Sequence, residues 1–204
     1  MLYRIGFVIC KFYLRTFFRI RIWGRENLPV DSRFITASNH INFWDPPFIG
    51  TSMGLKFKVH FMAKKELFGI PVFGAVIRGW GAFPVHRGGA DLKALGEAIK
   101  LVRNGKTVCL FPEGTRSKTD SLLKGRPGAA LIALETDAPI LPTAVYIKRR
   151  RFCRPEYRLK FGKAFSLSGL FSETVYPDHK QRVKAATEYL MQVIAGLHRE
   201  LKAY

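Results

Sequence analysis

Short apolar runs that alternate with amphipathic segments are the feature that most limits the fold of this chain. Candidate strands lie at 33–38, 58–63, 80–85, 107–111, 140–147 and 157–161. Apolar residues recur at helical spacing between them, and they predict helices at 46–53, 66–77, 91–103, 127–135 and 178–203. The 204 residues contain neither an internal repeat nor a linker. The alternation therefore predicts a layered α/β domain with a central mixed β-sheet flanked by helices.

Residues 1–25 differ in character from the rest, because they contain six basic residues and no acid. Their longest uncharged run has six residues, which is too short for a membrane-spanning helix of about 20 apolar residues. Arg4, Lys11, Arg15 and Arg19 follow one stripe of a helix beside a wide apolar face. This pattern predicts an amphipathic helix at a membrane surface, and the alternative is a helix that packs on the chain's own core. We expect a membrane-associating segment at 1–25 and a separate domain at 26–204.

The charge balance is strongly basic, with 34 Lys and Arg residues against 15 acids and a net charge of +19. This balance indicates an anionic partner, which could be nucleic acid, anionic lipid or a phosphorylated substrate. A basic nucleic-acid-binding protein is disfavoured because no recognised motif of that class occurs. The three cysteines form no CxxC pair, which favours a reducing compartment. The histidines show no metal-ligand spacing, so no metal site is predicted.

The segment S-N-H-I-N-F-W-D directly follows a candidate strand and ends at Asp45. A neutral imidazole such as His40 can accept a proton from an alcohol when a carboxylate fixes its tautomer. Asp45 can provide that carboxylate. There is no G-x-S-x-G motif, and Ser38 is too close in sequence to face the base. The segment is therefore either a hydrogen-bonded turn or a base that activates a hydroxyl group of the substrate.

The second motif is F-P-E-G-T-R-S, which follows another candidate strand. Gly114 allows the backbone to approach a ligand, and Thr115 and Ser117 can donate hydrogen bonds. Arg116 offers a bidentate fork for a phosphate. The alternative is an ordinary turn in which Arg116 is solvated and Glu113 is its partner.

Several residues around these motifs complete the set of candidates. Further anion contacts are predicted at Lys64, Lys65 and Arg87, although each could be a solvated charge. We expect Asn39 to support the turn, and Phe43 and Trp44 to serve as packing.

These motifs, in this order, resemble the glycerolipid acyltransferase (PlsC-like) family. The quoted blocks are N-H-x-x-x-x-D from Asn39, K-x-E-L-F-x-x-P-x-x-G from Lys64, F-P-E-G-T-R-S from Phe111, and an apolar strand containing Pro142. The resemblance covers roughly residues 28–146, and the third block matches residue for residue. It implies that 26–204 is the acyltransferase domain.

The resemblance implies that His40 deprotonates the sn-2 hydroxyl of lysophosphatidate while Asp45 holds the imidazole. The alkoxide then attacks the thioester of acyl-CoA or acyl-carrier protein, which gives phosphatidate without a metal or another cofactor. The residues implied for the phosphate site are Arg116, Lys64, Glu113, Gly114 and Thr115. A peripheral or monotopic position on the cytoplasmic face of the cell membrane is expected. Two alternatives remain open. One is acyl transfer to a lyso-aminolipid or a lyso-glycolipid, and the other is hydrolysis by a water that the His–Asp pair activates.

Overall fold

The computed structural model describes residues 2–86, 91–119, 121–149 and 151–204. The strands are β1 (Arg19–Trp23), β2 (Ile35–Ser38), β3 (Val59–Lys64), β4 (Ala82–Val85), β5 (Thr107–Leu110), β6 (Ile140–Lys148) and β7 (Glu156–Phe161). The α-helices are α1 (Leu2–Phe17), α2 (Asp45–Met53), α3 (Phe73–Gly79), α4 (Leu92–Arg103), α5 (Gly128–Thr136), α6 (Leu167–Leu170) and α7 (His179–Ala203). Short 3-10 helices lie at Arg25–Asn27 and Lys65–Gly69.

The strands of the described residues form one seven-stranded sheet in the order β1-β7-β6-β2-β5-β3-β4. Within this order, the five strands β6, β2, β5, β3 and β4 are all parallel to one another. Strand β7 is antiparallel to β6, and β1 is parallel to β7. The prediction of a mixed sheet is confirmed. Because β2, β5, β3 and β4 run in the same direction, the segments that follow them meet at one edge of the sheet.

Helices cover both faces of the sheet, and each face has its own apolar core. One core includes Leu14 of α1 and Phe48 and Ile49 of α2. The other includes Val102 of α4 together with residues of α5 and α7. All residues of β2 and β5 are buried, as expected for central parallel strands covered on both faces. The predicted layered α/β class is therefore correct.

The N-terminal helix is shorter than its cationic stripe predicted. It ends at Phe17, and Arg19 begins β1, which pairs with β7 from Glu156 onward. The sequence of β1, R-I-R-I-W, alternates charged and apolar residues with the period of a strand. This period overrides the helical spacing that placed Arg19 on the helix. Residues 19–23 are thus part of the sheet that the rest of the chain forms.

The helix predicted at 66–77 is also divided in the structure. A 3-10 helix ends at Gly69, and α3 begins at Phe73 after a break at Pro71 and Val72. Val72 has a positive φ of 62°, which is costly for a β-branched residue and marks the break. Gly74 is required here, because a Cβ atom would lie 2.4 Å from the carbonyl oxygen of Phe68.

Candidate active site

The two principal motifs lie side by side at the carboxyl edge of the sheet. His40 follows β2 and the F-P-E-G-T-R-S motif follows β5, and these strands are neighbours. The backbone amide of Ser117 donates to the carbonyl oxygen of His40 at 2.8 Å. The amide of His40 donates to Glu113 Oε1 at 2.9 Å. The two loops therefore form one hydrogen-bonded unit, as their sequence positions predicted.

The His40 and Asp45 side chains contact each other directly. The distance from His40 Nδ1 to Asp45 Oδ2 is 2.6 Å, and Asp45 is fully buried while the imidazole is 11% exposed. Asp45 Oδ2 also accepts the amides of Ile41 at 2.7 Å and Asn42 at 2.8 Å. The two interpretations of this segment, a hydrogen-bonded turn and a base with its orienting carboxylate, are therefore compatible. The same carboxylate closes the turn and orients the imidazole. This arrangement leaves Nε2 as the ring nitrogen that can meet a substrate proton.

A tyrosine from a distant strand completes the surroundings of Asp45. The hydroxyl of Tyr157, in β7, donates to Asp45 Oδ1. Burial, followed by the charge of Asp45, raises the pKa of Tyr157 well above its usual value of 10.0. The phenol consequently stays protonated and remains a donor at neutral pH. Four donors thus compensate a carboxylate buried in the core, which stabilises its charge and fixes its position.

Glu113 is buried and holds the two loops together. Its Oε1 accepts the amide of His40, and its Oε2 accepts the amide of Leu123 at 2.8 Å. Burial raises the pKa of Glu113, and these two hydrogen bonds act in the opposite direction. Because both oxygens are engaged by the loops, we assign Glu113 to shaping the site rather than to contact with a phosphate. Phe111 stacks on the His40 ring, with centroids 4.1 Å apart.

The rest of the F-P-E-G-T-R-S motif divides into exposed and internal residues. Gly114 has a positive φ of 67°, and a Cβ atom would lie 2.7 Å from Arg126 Cδ, so the turn favours glycine. Thr115 and Arg116 are exposed. Ser117 is buried, and its hydroxyl donates within the loop to the carbonyl oxygen of Ser121 at 2.7 Å. Ser117 is therefore a loop residue, whereas Thr115 and Arg116 can meet a ligand.

The lysines of the predicted phosphate site are close to the same edge. Lys64 is the last residue of β3, where its half-exposed amine lies 3.6 Å from Glu66 Oε1. Such an exposed ion pair is weak, so Lys64 can exchange its partner for a phosphate. Lys65 is exposed at the next position, and Arg87 lies outside the described residues. The role of these cations in phosphate binding stays a prediction.

Asn39 and the aromatic residues of the first motif have separate structural roles. The Asn39 amide exchanges two hydrogen bonds with the backbone of Val145, at 2.9 and 2.8 Å. Asn39 thus attaches the end of β2 to β6, and the expectation that it supports the turn was wrong. Trp44 stacks on Tyr13 of α1, with centroids 4.2 Å apart, which attaches α1 to the site. Phe43 is about half exposed, so it only partly serves as packing.

The helix α1 has apolar residues on two sides. Phe7, Cys10 and Leu14 face inward and are buried. The residues that face outward are Ile5, Val8, Ile9 and Phe12, which are 46–73% exposed. The helix therefore packs on the core and also presents an apolar surface. In the part of the chain that the structure describes, no helix has the length and apolarity needed to cross a membrane.

The structure contains no group of three or more His, Cys, Asp or Glu residues that could hold a metal ion, within its described ranges. The expectation that the chemistry needs no metal stays a prediction.

Comparison with known proteins identifies relatives that cover most of the chain. Residues 19–146 match the sequence profile of the family described as Acyltransferase. A 1-acyl-sn-glycerol-3-phosphate acyltransferase from Bacillus subtilis (strain 168) is 32% identical over 185 residues, which are 89% of each chain. A chloroplastic protein of the same name from Brassica napus is 36% identical over 129 residues, or 62% of this chain and 37% of that protein.

A solved structure shares the fold. The crystal structure of the 1-acyl-sn-glycerophosphate acyltransferase PlsC from Thermotoga maritima is 30% identical to this chain and has a TM-score of 0.74. The match covers 96% of this chain and 79% of that one. The fold and these matches define a layered α/β enzyme that transfers acyl groups. The chain belongs to the acyltransferase family, and the resemblance inferred from its motifs is confirmed.

Proposed function

We propose that this enzyme transfers a fatty acyl group from acyl-CoA or acyl-carrier protein to the sn-2 hydroxyl of lysophosphatidate, which gives phosphatidate for phospholipid biosynthesis. The observation that carries the proposal is the 2.6 Å contact between His40 Nδ1 and Asp45 Oδ2 at the carboxyl edge of the sheet. The names of the Bacillus subtilis and Thermotoga maritima relatives support the choice of acceptor.

In the proposed reaction, His40 Nε2 accepts the proton of the sn-2 hydroxyl as its oxygen attacks the thioester carbonyl carbon. The negative charge of Asp45 stabilises the imidazolium that forms. The tetrahedral intermediate then collapses, and the C–S bond breaks. The departing thiolate takes the proton from the imidazolium, so the products are the new ester and a free thiol. No side chain of the enzyme becomes acylated, because the substrate itself provides the nucleophile.

The acceptor phosphate is assigned to the exposed cations beside this pair. Arg116 is exposed on the loop that hydrogen-bonds to the backbone of His40. Its planar fork suits a phosphate, and Lys64 at the end of β3 can add a second cation. Anchoring the phosphate would select the hydroxyl that meets His40, because the glycerol backbone fixes the distance between them. Gly114 and Thr115 form the turn that presents Arg116.

We further propose that α1 holds the enzyme at the cytoplasmic face of the cell membrane as a peripheral or monotopic protein. The outward residues of α1, Ile5, Val8, Ile9 and Phe12, form an apolar surface. Arg4, Lys11 and Arg15 flank this surface, which suits anionic headgroups. The contact between Tyr13 and Trp44 would then keep the catalytic segment close to the lipid surface.

A panel of acceptors tests the proposed reaction. Lysophosphatidate, a lyso-aminolipid and a lyso-glycolipid are each supplied with acyl-CoA or with acyl-carrier protein, and the lipid products are measured. We expect phosphatidate to form fastest. Faster acylation of an uncharged lyso-lipid would contradict the assignment of lysophosphatidate as the acceptor. Release of free fatty acid without a lipid product would favour the alternative that the enzyme hydrolyses the thioester.

A further inference from the structure

Four arginines surround a groove at the end of α1 that the proposed reaction does not use. The groove has a volume of about 550 Å³. Its apolar lining comes from Phe18, Ile20 and Ile22, and its cationic lining from Arg15, Arg19, Arg25 and Arg154. All four arginines are exposed, and the described lining includes no acid. A charge of this density, without a counter-charge in the lining, suits an anionic ligand.

Hydrogen bonds fix the backbone segments around the groove and the side chain of Arg154. Arg154 Nη1 donates to the last carbonyl oxygens of α1, at 3.1 Å to Arg15 and 3.0 Å to Thr16. Arg19 is fixed where β1 begins, because its amide donates to the carbonyl oxygen of Pro155 at 2.9 Å. The helix end, β1 and the segment before β7 are therefore attached to one another, and all four arginines extend from this attached backbone.

The composition of the groove favours an amphiphile over a simple anion. Phe18, Ile20 and Ile22 are partly buried against the core beneath α1, so they give the groove an apolar floor. Guanidinium groups around an apolar floor suit a phosphate that is attached to hydrocarbon. The exposed apolar face of α1 ends beside the groove. Insertion of this face into the membrane would bring the groove to the level of the lipid headgroups.

The groove is connected to the catalytic pair through two aromatic side chains, Phe18 and Tyr157. The ring of Phe18 lies 5.2 Å from that of Tyr157, and the Tyr157 hydroxyl donates to Asp45. We propose that this groove binds the phosphate headgroup of an anionic phospholipid of the bilayer. The inference rests on the proposed membrane position of the enzyme. A bound headgroup would fix the orientation of α1 and hence the direction in which the site faces the membrane.

The test compares the affinity of the full chain for vesicles of phosphatidylcholine with and without phosphatidylglycerol. For Arg19→Gln with Arg25→Gln, we expect roughly a 25-fold loss of affinity for the anionic vesicles, about fivefold for each arginine. Binding to neutral vesicles should change little. The matched control, Lys93→Gln with Lys100→Gln, removes two exposed charges from α4 on the opposite face of the sheet. The affinity of this control for the anionic vesicles should fall by less than about twofold, because charges distant from the membrane surface are screened.

Two further arms distinguish a headgroup site from its alternatives. Arg19→Lys with Arg25→Lys retains the charge but not the forks, so its affinity should be only partly restored. Full restoration would overturn the proposal, because diffuse charge would then suffice. Inorganic phosphate is also offered to the protein without vesicles at constant ionic strength. Phosphate binding that Arg19→Gln with Arg25→Gln abolishes, together with unchanged affinity for the anionic vesicles, would identify a site for soluble phosphate instead. Binding is measured without an acyl donor, so failure of this proposal is distinct from failure of acyl transfer.

Discussion

The replacement Asp45→Asn separates the charge of the orienting residue from its geometry. Oδ2 accepts three N–H donors, from the His40 ring and from the amides of Ile41 and Asn42. Oδ1 faces the hydroxyl of Tyr157, which can either donate or accept. The amide oxygen should therefore take the position of Oδ2, and the amide nitrogen should face the phenol. The imidazole would then keep its Nδ1–H tautomer and lose only the neighbouring charge.

The size of the loss follows from that geometry. A carboxylate about 4 Å from an imidazolium stabilises it by up to about 4 kcal/mol at an effective dielectric constant near 20. This energy corresponds to a fall in kcat of up to about 10³-fold. In a serine-protease triad the equivalent amide replacement costs about 10⁴, because the tautomer is wrong. We therefore expect a loss of about 10² to 10³ in this enzyme, since the three donors preserve the tautomer.

The assay follows thiol release from acyl-CoA in the presence of lysophosphatidate, with urea unfolding measured in parallel. The free energy of unfolding should change by less than about 1.5 kcal/mol, because the hydrogen bonds are retained. A kcat within about threefold of the wild type would refute the role of the charge. A large loss of stability would instead show that the carboxylate is chiefly structural.

Four other predictions follow from the structure. In Tyr157→Phe the unfolding free energy should fall by about 1.5–3 kcal/mol, because a hydrogen bond to a charged group is lost. The raised pKa of this phenol in the folded state should also make wild-type stability fall as pH rises above about 10. In Tyr157→Phe the unfolding free energy, measured by urea titration, should therefore fall less steeply with pH between about pH 9 and 11 than in the wild type. An equal pH dependence in both proteins would contradict the raised pKa of Tyr157. Arg116→Ala should raise KM for lysophosphatidate about 10- to 100-fold in steady-state kinetics, and Arg116→Lys should restore it only partly. Equal effects on an uncharged acceptor would exclude a phosphate contact. Glu113→Gln should cost about 1–3 kcal/mol of unfolding free energy by urea titration, because its NH₂ group must face one of two amide donors. An unchanged urea midpoint in Glu113→Gln would contradict the role of Glu113 in holding the two loops together. Phe12→Ser and Ile9→Ser should each weaken vesicle partitioning in flotation by up to about 1.5–3 kcal/mol, and unchanged partitioning would place the membrane contact elsewhere.

The parts of the fold and site that the sequence predicted depend on local signals. The period of the strands and helices identified the layered α/β class. Proximity of His40 and Asp45 followed from a spacing of five residues, and a tight turn can close that distance. The F-P-E-G-T-R-S motif was placed beside them because both segments follow strands, and parallel strands end at a common edge.

The remaining features depend on contacts between distant parts of the chain. Tyr157 lies 112 residues from Asp45, and a tyrosine in a strand carries no local signal of such a partner. Asn39 likewise bonds to Val145 across the sheet, so its role was misassigned. At Arg19 two local signals competed, and pairing with β7 favoured the strand over the helical stripe.

The central claim is that His40 is the base that activates the acceptor hydroxyl. The most direct measurement is the turnover of acyl-CoA and lysophosphatidate by His40→Ala, together with its unfolding midpoint and its binding to vesicles. We expect phosphatidate formation to be abolished while the midpoint and the vesicle binding remain close to those of the wild type. Substantial phosphatidate formation by a folded, membrane-bound His40→Ala enzyme would contradict the account.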